Sequence, residues 1–417
     1  MKKRIHVPAM LLALLLLLTA GCGQREQVVP EEPPQVLRLL ALSTVEDFLE
    51  QAVEEFNSGN PYGVTVELEV LDMDNYKRML PVYAAGGEMP DLFFTWEAGY
   101  LEPYVSSGNV LALTDDLSDW EDRFAPGVFE PLTFEGEIYA VPLQQSLTVV
   151  FYNKAVFREI GAEPPETWEA FVQLCRTLKD RGTVPVAIGA EDWQAGQLLT
   201  ALLAGVGGRT LYESLDEGGA WRQEEMERCV CLLKELHDLG YVSRAGTASI
   251  LDGTAAMRLT GDWLQAGYRE NGEIGVFLLP AVEEANRGTC ICSVDQCYAV
   301  SSGFRNPEAA CAFLRLLTGR ENQLWLQQQT GQVCSTRDVA GDETYPLQEE
   351  VRSLYGQVEK RVIWIDRGIG GDVGTMFNQM AVAILSGRDP VAELEQFHTA
   401  LEALYNHTGG GTENRKG

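Results

Sequence analysis

The chain has 417 residues, 45% of them hydrophobic, with 61 acidic side chains against 32 basic ones and a formal net charge of -29. The length admits two or three domains of ordinary size, and the apolar content excludes wholesale disorder. The acidity, with no run of Lys and Arg in the body of the chain, excludes nucleic acid or an anionic lipid surface as a partner held by charge.

Residues 1–21 read as an address. Lys2, Lys3 and Arg4 precede an apolar run from Met10 to Leu18, and Thr19, Ala20, Gly21 and Cys22 follow it. A charged start, a short apolar stretch and small residues at its end make a secretory signal, and the run is shorter than the ~20 residues of a membrane span. Cys22, directly after Ala20 and Gly21, resembles the lipidated cysteine of bacterial lipoproteins and is expected to start the mature chain. Residues 22–35, rich in Pro, Gln and Glu and without periodicity, read as a tether. The expected location is the outer face of the cytoplasmic membrane, on the extracellular or periplasmic side.

From Gln35 the pattern is α/β. Gln35–Leu42 is apolar enough for a strand. Val45, Phe48, Leu49, Ala52, Val53 and Phe56 then follow at helical spacing, with Ser43 or Thr44 as the expected N-cap. Val64–Val70 alternates as a second strand, Asn75–Ala85 reads as a helix, and Asp91–Thr95 as a third strand. This alternation predicts a parallel, doubly wound sheet. A second unit begins near Thr148. It has strands at Val149–Tyr152, Val184–Ile188, Thr254–Leu259 and Ile274–Pro280. Its helices are predicted after Asn153, over Trp168–Lys179 with Thr167 as N-cap, over Gly196–Val206 and over Gln223–Leu239. The remainder offers a strand at Gln296–Val300 and helices at Pro307–Thr318, Arg320–Gln329, Gly374–Ser386 and Val391–Leu404.

Besides Cys22 there are eight cysteines, at 175, 229, 231, 290, 292, 297, 311 and 334. Disulfides and free thiols both remain open. The spacing Cys290, Cys292, Cys297 lacks the paired C-x2-C or neighbouring His of a metal site, so no metal and no cofactor are expected. No Gly-x-Ser-x-Gly elbow, phosphate loop or His-Glu-x-x-His motif occurs, and the glycines at 205, 207 and 208 stand alone. The chain is not expected to be an enzyme.

Five segments in order resemble one family. Phe151, Tyr152, Asn153, Lys154, Phe157 and Gly161, followed by Pro164 to Glu169, form the most specific stretch. Gly87 to Phe93, Gly136 to Pro142, Gly253 to Met257 with Gly261, Asp262 and Trp263, and Ala299 to Ala310 with Phe313 and Leu314 complete the set. Together they resemble the extracellular solute-binding proteins of bacterial ABC importers, in the carbohydrate branch (family 1) that includes maltose-binding protein. The resemblance implies a two-lobed, periplasmic-binding-protein-like α/β fold. Each lobe would be a mainly parallel sheet flanked by helices, and a multi-segment hinge would join them. It implies a first lobe of 36–146 and 280–330, a second of 147–279 and 331–405, and a flexible tail of 406–417. The hinge crossings would lie near Gln144–Thr148, Val276–Pro280 and Gly331–Ser335. It also implies a monomer that traps a sugar or oligosaccharide between its lobes and delivers it to the permease subunits of the transporter. Another solute, such as a polyamine or a glycerol phosphate, and presentation of the ligand to a sensor kinase are the alternatives.

Sugar recognition needs flat aromatic faces for the C–H patches of a pyranose and paired polar groups for its hydroxyls. In α/β sheets such residues stand just after the strands, where the loops face the crevice. That rule selects Ser43 and Glu46, Trp96 and Glu97, Asp192 and Trp193, and Asp262 and Trp263 as ligand-binding candidates; Gln144 and Gln145 join them at the expected hinge entry, and Trp364 and Asp366 in the stretch just ahead of Gly370 that would line the second lobe. Trp120, Trp168, Trp221 and Trp325 fall on helical segments and read as structural.

Overall fold

The structure is a computed structural model that describes residues 35–216, 221, 224–244, 249–268, 270–339 and 346–407. The signal, Cys22 and nearly all of the tether lie outside the described residues. No helix among those described is long and apolar enough to cross a membrane. From Val36 onward the described chain forms one compact unit.

Among the described residues, ten strands join in one mixed sheet and two short ones form a hairpin. In chain order the strands are β1 (Gln35–Leu42), β2 (Val64–Leu71), β3 (Leu92–Thr95), β4 (Thr133–Phe134), β5 (Glu137–Ile138), β6 (Val141–Asn153), β7 (Val184–Ala187), β8 (Val242–Ser243), β9 (Ala255–Gly261), β10 (Ile274–Phe277), β11 (Thr289–Val300) and β12 (Lys360–Val362). The sheet runs β2-β1-β3-β11-β6-β9-β7-β8, with β10 on β6 and β12 on β11. β1 and β3 are parallel, as are β7 with β8 and β9. The two long strands are the antiparallel members: β11 against β3 and β6, and β6 against β9 and β10.

The long strands pass from one half of the molecule to the other. β6 pairs through Val141–Leu147 with β11 and through Thr148–Asn153 with β9 and β10. The buried side chains divide at the same places. One cluster takes Leu37 to Leu143 and Val294 to Leu326, and the remaining clusters take residues from Leu147 to Cys292 and from Leu347 to Leu401. Separate apolar cores joined by a few extended segments make two lobes and a hinge.

Local chemistry explains most element ends. Asp72, Asn153, Thr167 and Asn306 each accept a backbone N–H with their side chain and so start the helices Met73–Gly86, Lys154–Ile160, Trp168–Asp180 and Pro307–Leu317. The expected cap at Ser43 or Thr44 does not form. Those residues make a short 3-10 turn, and helix Glu46–Asn57 begins after Val45 with no side-chain cap. Strand β6 starts at Val141, well before the expected Val149. Pro142 and the polar run Gln144–Ser146 hide it, because a strand buried on both faces carries no alternation. The second crossing lies between Cys292 and Val294, later than the expected Val276–Pro280. Residues 280–291 pack on the second lobe, where Glu283 N–H bonds to Gly205 carbonyl and β12 holds β11 at Thr289–Ile291. Helix Pro346–Tyr355 was not read from the sequence, and Pro390–His407 carries helix into the expected tail.

Candidate functional site

The first-lobe wall is set by the end of β3. Phe94 and Trp96 lie edge to face, 4.7 Å apart, and Trp96 also touches Tyr100 at 5.0 Å. Trp96 is 7% exposed, and Lys77 Nζ lies 5.2 Å above its ring. Burial lowers the pKa of that lysine, while Asp366 pulls it back up.

The second-lobe wall is a row of indoles. The ring of Trp263 is 5.9 Å from that of Trp193 and 5.7 Å from that of Trp364. Gly261 makes this possible, because a Cβ there would overlap the Trp263 ring. Trp193 and Trp263 are half-buried, whereas Trp364 is only 3% exposed. Arg367 lies over Trp364 at 4.0 Å.

The walls meet. Gly99 and Gly370 are in backbone contact, and a Cβ on Gly99 would come within 2.5 Å of Gly370 N. Beside them Arg367 Nη1 lies 3.5 Å from Glu97 Oε2. Glu97 is completely buried, and neither of its oxygens has a hydrogen-bond partner. Burial raises its pKa, and Arg367 draws it down. Burial also opposes the charge on Arg367, but Glu97, Asp295 and Asp366 outweigh that and hold the guanidinium charged. Trp364 Nε1 and Arg367 Nη1 are likewise buried without a hydrogen bond. Buried polar atoms are nearly always satisfied, and here Glu97, Arg367 and Trp364 leave unsatisfied donors and acceptors close together.

The other candidates fall elsewhere. Asp262 is completely buried, accepts the Leu147 N–H at 3.2 Å and the Tyr355 hydroxyl at 2.7 Å, and thereby ties β9 to the hinge. Burial raises its pKa to about 7. Gln145 is held by Cys334 carbonyl and Arg361 at the third crossing. Gln144 donates to Thr330 and keeps its Oε1 unpartnered. Asp192 pairs with Arg244 at 3.1 Å, and Asp366 accepts from Asn378 at 3.0 Å. Ser43 is exposed and Glu46 half-buried. Their neighbour Thr44 reaches the hinge strand by accepting from Gln296 at 3.3 Å. Gln296 has φ of 51°, a strained setting for a non-glycine, directly after Asp295. Sequence reasoning did not select Lys77, Tyr100, Asp295 or Arg367 as candidates. The tryptophans left as structural pack on other rings: Trp325 stacks on Phe48 at 5.5 Å, Trp221 meets Phe397 edge to face at 4.9 Å, and Trp168 and Trp120 lie tilted on Phe171 at 5.3 Å and Phe124 at 5.6 Å.

A groove of about 740 Å³ opens elsewhere on the second lobe, between Pro164, Phe277, Leu279, Glu350 and Leu354, and none of the candidates lines it. The eight described cysteines are free thiols, and no cluster of metal-ligating side chains occurs among the described residues. The glycines near 205 serve packing: a Cβ on Gly205 would meet Val282, and one on Gly208 would meet Asn286.

A family model described as bacterial extracellular solute-binding protein matches residues 43–324. The chain belongs to that family. It is a family of binding proteins rather than enzymes. Among its relatives are an ABC transporter extracellular-binding protein of Pyrococcus horikoshii and a multiple sugar-binding protein of Streptococcus mutans. The first is 21% identical over 400 residues, covering 89% of this chain and 92% of its own. The second is 21% identical over 345 residues, covering 76% and 78%. Among solved structures, a chitin oligosaccharide binding protein superposes with a TM-score of 0.80 at 22% identity, over 89% of this chain and 99% of its own. The solute-binding protein RafE in complex with raffinose gives 0.70 at 20% identity, over 87% and 98%. These likenesses establish the two-lobed solute-binding fold.

Proposed function

We propose that this chain is the receptor of an ABC importer, anchored outside the membrane through a lipid on Cys22, that captures a sugar or oligosaccharide between its lobes and delivers it to the permease. One observation carries the sugar reading. Trp193, Trp263 and Trp364 form a row of indoles on one lobe, and Arg367 over Trp364 meets Glu97, which follows Trp96 in the other lobe, where polar atoms of Glu97, Arg367 and Trp364 lack partners. Aromatic faces take the apolar side of a pyranose, and an acceptor beside a donor takes adjacent hydroxyls. Several relatives point the same way by name, including a melibiose/raffinose/stachyose-binding protein of Bacillus subtilis, 26% identical over 179 residues. Trp96, Trp193, Trp263, Trp364, Glu97 and Asp366 form the proposed contact set. Gln144, Gln145 and Asp262 serve the hinge, and Asp192, Ser43 and Glu46 lie at the margin. The lobes would move about β6, β11 and residues 331–335, and the receptor would act as a monomer.

A thermal-shift screen of the purified protein tests this, with mono- and oligosaccharides, polyamines, sugar phosphates and metal ions as the panel. A ligand at 100 times its dissociation constant stabilises by about 2.7 kcal/mol, a readable shift. A shift confined to one saccharide series is expected. A shift only with polyamines or phosphates would keep the fold and overturn the sugar.

A further inference from the structure

The rings assigned to the sugar already carry side chains of the protein. Arg367 lies 4.0 Å from the centre of Trp364. Lys77 lies 5.2 Å from Trp96 and 5.9 Å from Tyr100. One cation comes from each lobe. Arg367 faces an acid of the other lobe, Glu97, and pairs with it, while Lys77 covers the rings of its own lobe. Glu97 is wholly buried and the Arg367 side chain is 17% exposed. A second bridge between the lobes, Arg209 to Glu130 at 3.9 Å, is half in solvent and holds little.

We propose that Arg367 and Lys77 are internal occupants of the sugar platforms: Arg367 latches the lobes together in the absence of solute, and a solute enters by displacing both. This rests on the reading that these rings are the sugar platforms. The latch makes Arg367 a specificity-determining residue. An entering group must cover the Trp364 face in place of the guanidinium and also offer hydrogen-bond donors to both oxygens of Glu97. A neutral polyhydroxylated ring does both at once. A linear amine meets the carboxylate but leaves the indole bare. An anion meets Glu97 and Asp295 as soon as Arg367 moves aside.

The latch has a clear sign. With Arg367 removed, the closed form would hold the carboxylate of Glu97 buried and uncompensated, which favours opening. The fraction of molecules open to solute then rises, and apparent affinity rises with it. The test measures the ligand-free radius of gyration by solution scattering, and calorimetric affinity for the best sugar of the screen, in the wild type and in Arg367→Ala, Arg367→Lys and Arg209→Ala. Expected are a compact ligand-free wild type, an expanded Arg367→Ala that becomes compact on adding sugar, and an affinity at least about 5-fold tighter. Arg367→Lys should fall between, because lysine keeps the charge without the flat stacking face. Arg209→Ala should match the wild type. An Arg367→Ala protein as compact as the wild type without ligand overturns the latch. Weaker sugar binding by that variant also overturns it, making Arg367 an ordinary sugar contact and leaving the proposed function intact. If no sugar binds the wild type, the proposed function fails, and scattering alone still decides the latch: expansion supports it and no change overturns it.

Discussion

Glu97 and Asp262 are both completely buried carboxyl groups set just after a strand, one in each lobe. Their surroundings are opposite. Asp262 accepts from the Leu147 N–H and the Tyr355 hydroxyl, so its burial fastens the hinge. Glu97 faces the guanidinium of Arg367 at 3.5 Å and the Ser293 hydroxyl, and no well-formed hydrogen bond reaches either oxygen. Burial alone therefore does not mark a binding residue. What separates these two carboxyls is whether each has been given hydrogen-bond partners, since an unsatisfied buried group is costly.

The widest contrast should come from pH. Burial raises the Asp262 carboxyl from 3.8 to about 7, so between those values the folded chain keeps a proton that the unfolded chain has released. Its contribution to stability is complete below the lower value and is lost as pH rises through about 7. One pKa unit corresponds to about 1.4 kcal/mol, so the loss amounts to at most about 4 kcal/mol. Urea unfolding of the wild type from pH 4 to 8 measures it, and Asp262→Asn, which keeps an acceptor and cannot ionise, should lack that component of the slope. Next, Asp262→Ala strands two buried donors and should lower stability by about 2–4 kcal/mol. Trp263→Ala should leave unfolding nearly unchanged and weaken sugar binding by about 1–3 kcal/mol in calorimetry, as for a stacked aromatic in a desolvated site. The smallest effect on unfolding is expected from Glu97→Gln, whose stability should stay within about 1 kcal/mol of the wild type because the lobes can part and return Arg367 to solvent. A Glu97→Gln protein as unstable as Asp262→Ala would erase the distinction.

The sequence carried the site unevenly. Trp96 and Trp263 were legible because each follows a short strand whose end is visible in the pattern, and Gly261 clears space for one of them. Trp193 followed from the same rule, whereas Trp364 was chosen for its place ahead of Gly370, the short strand β12 before it having gone unread. The rule could not separate Glu97 from Asp262, because the difference lies in Leu147 and Tyr355, distant in sequence and joined only by the fold. Asp295 was hidden inside β11, a strand buried on both faces, where only the second half showed a pattern. Lys77 lies on helix Met73–Gly86, outside any strand end, and was passed over for that reason. The lobes were legible from strand–helix alternation. The second crossing was not, because residues 280–291 have no regular period and are fixed by long-range pairing to β12 and Gly205.

Hydrogen–deuterium exchange of the purified protein, with and without the sugar found in the screen, tests the central claim most directly. Protection should gather at residues 95–100, 262–264 and 364–370, the segments that meet between the lobes. Protection confined to the groove around Pro164, Phe277 and Leu354, with those three segments unchanged, would contradict a sugar site between the lobes.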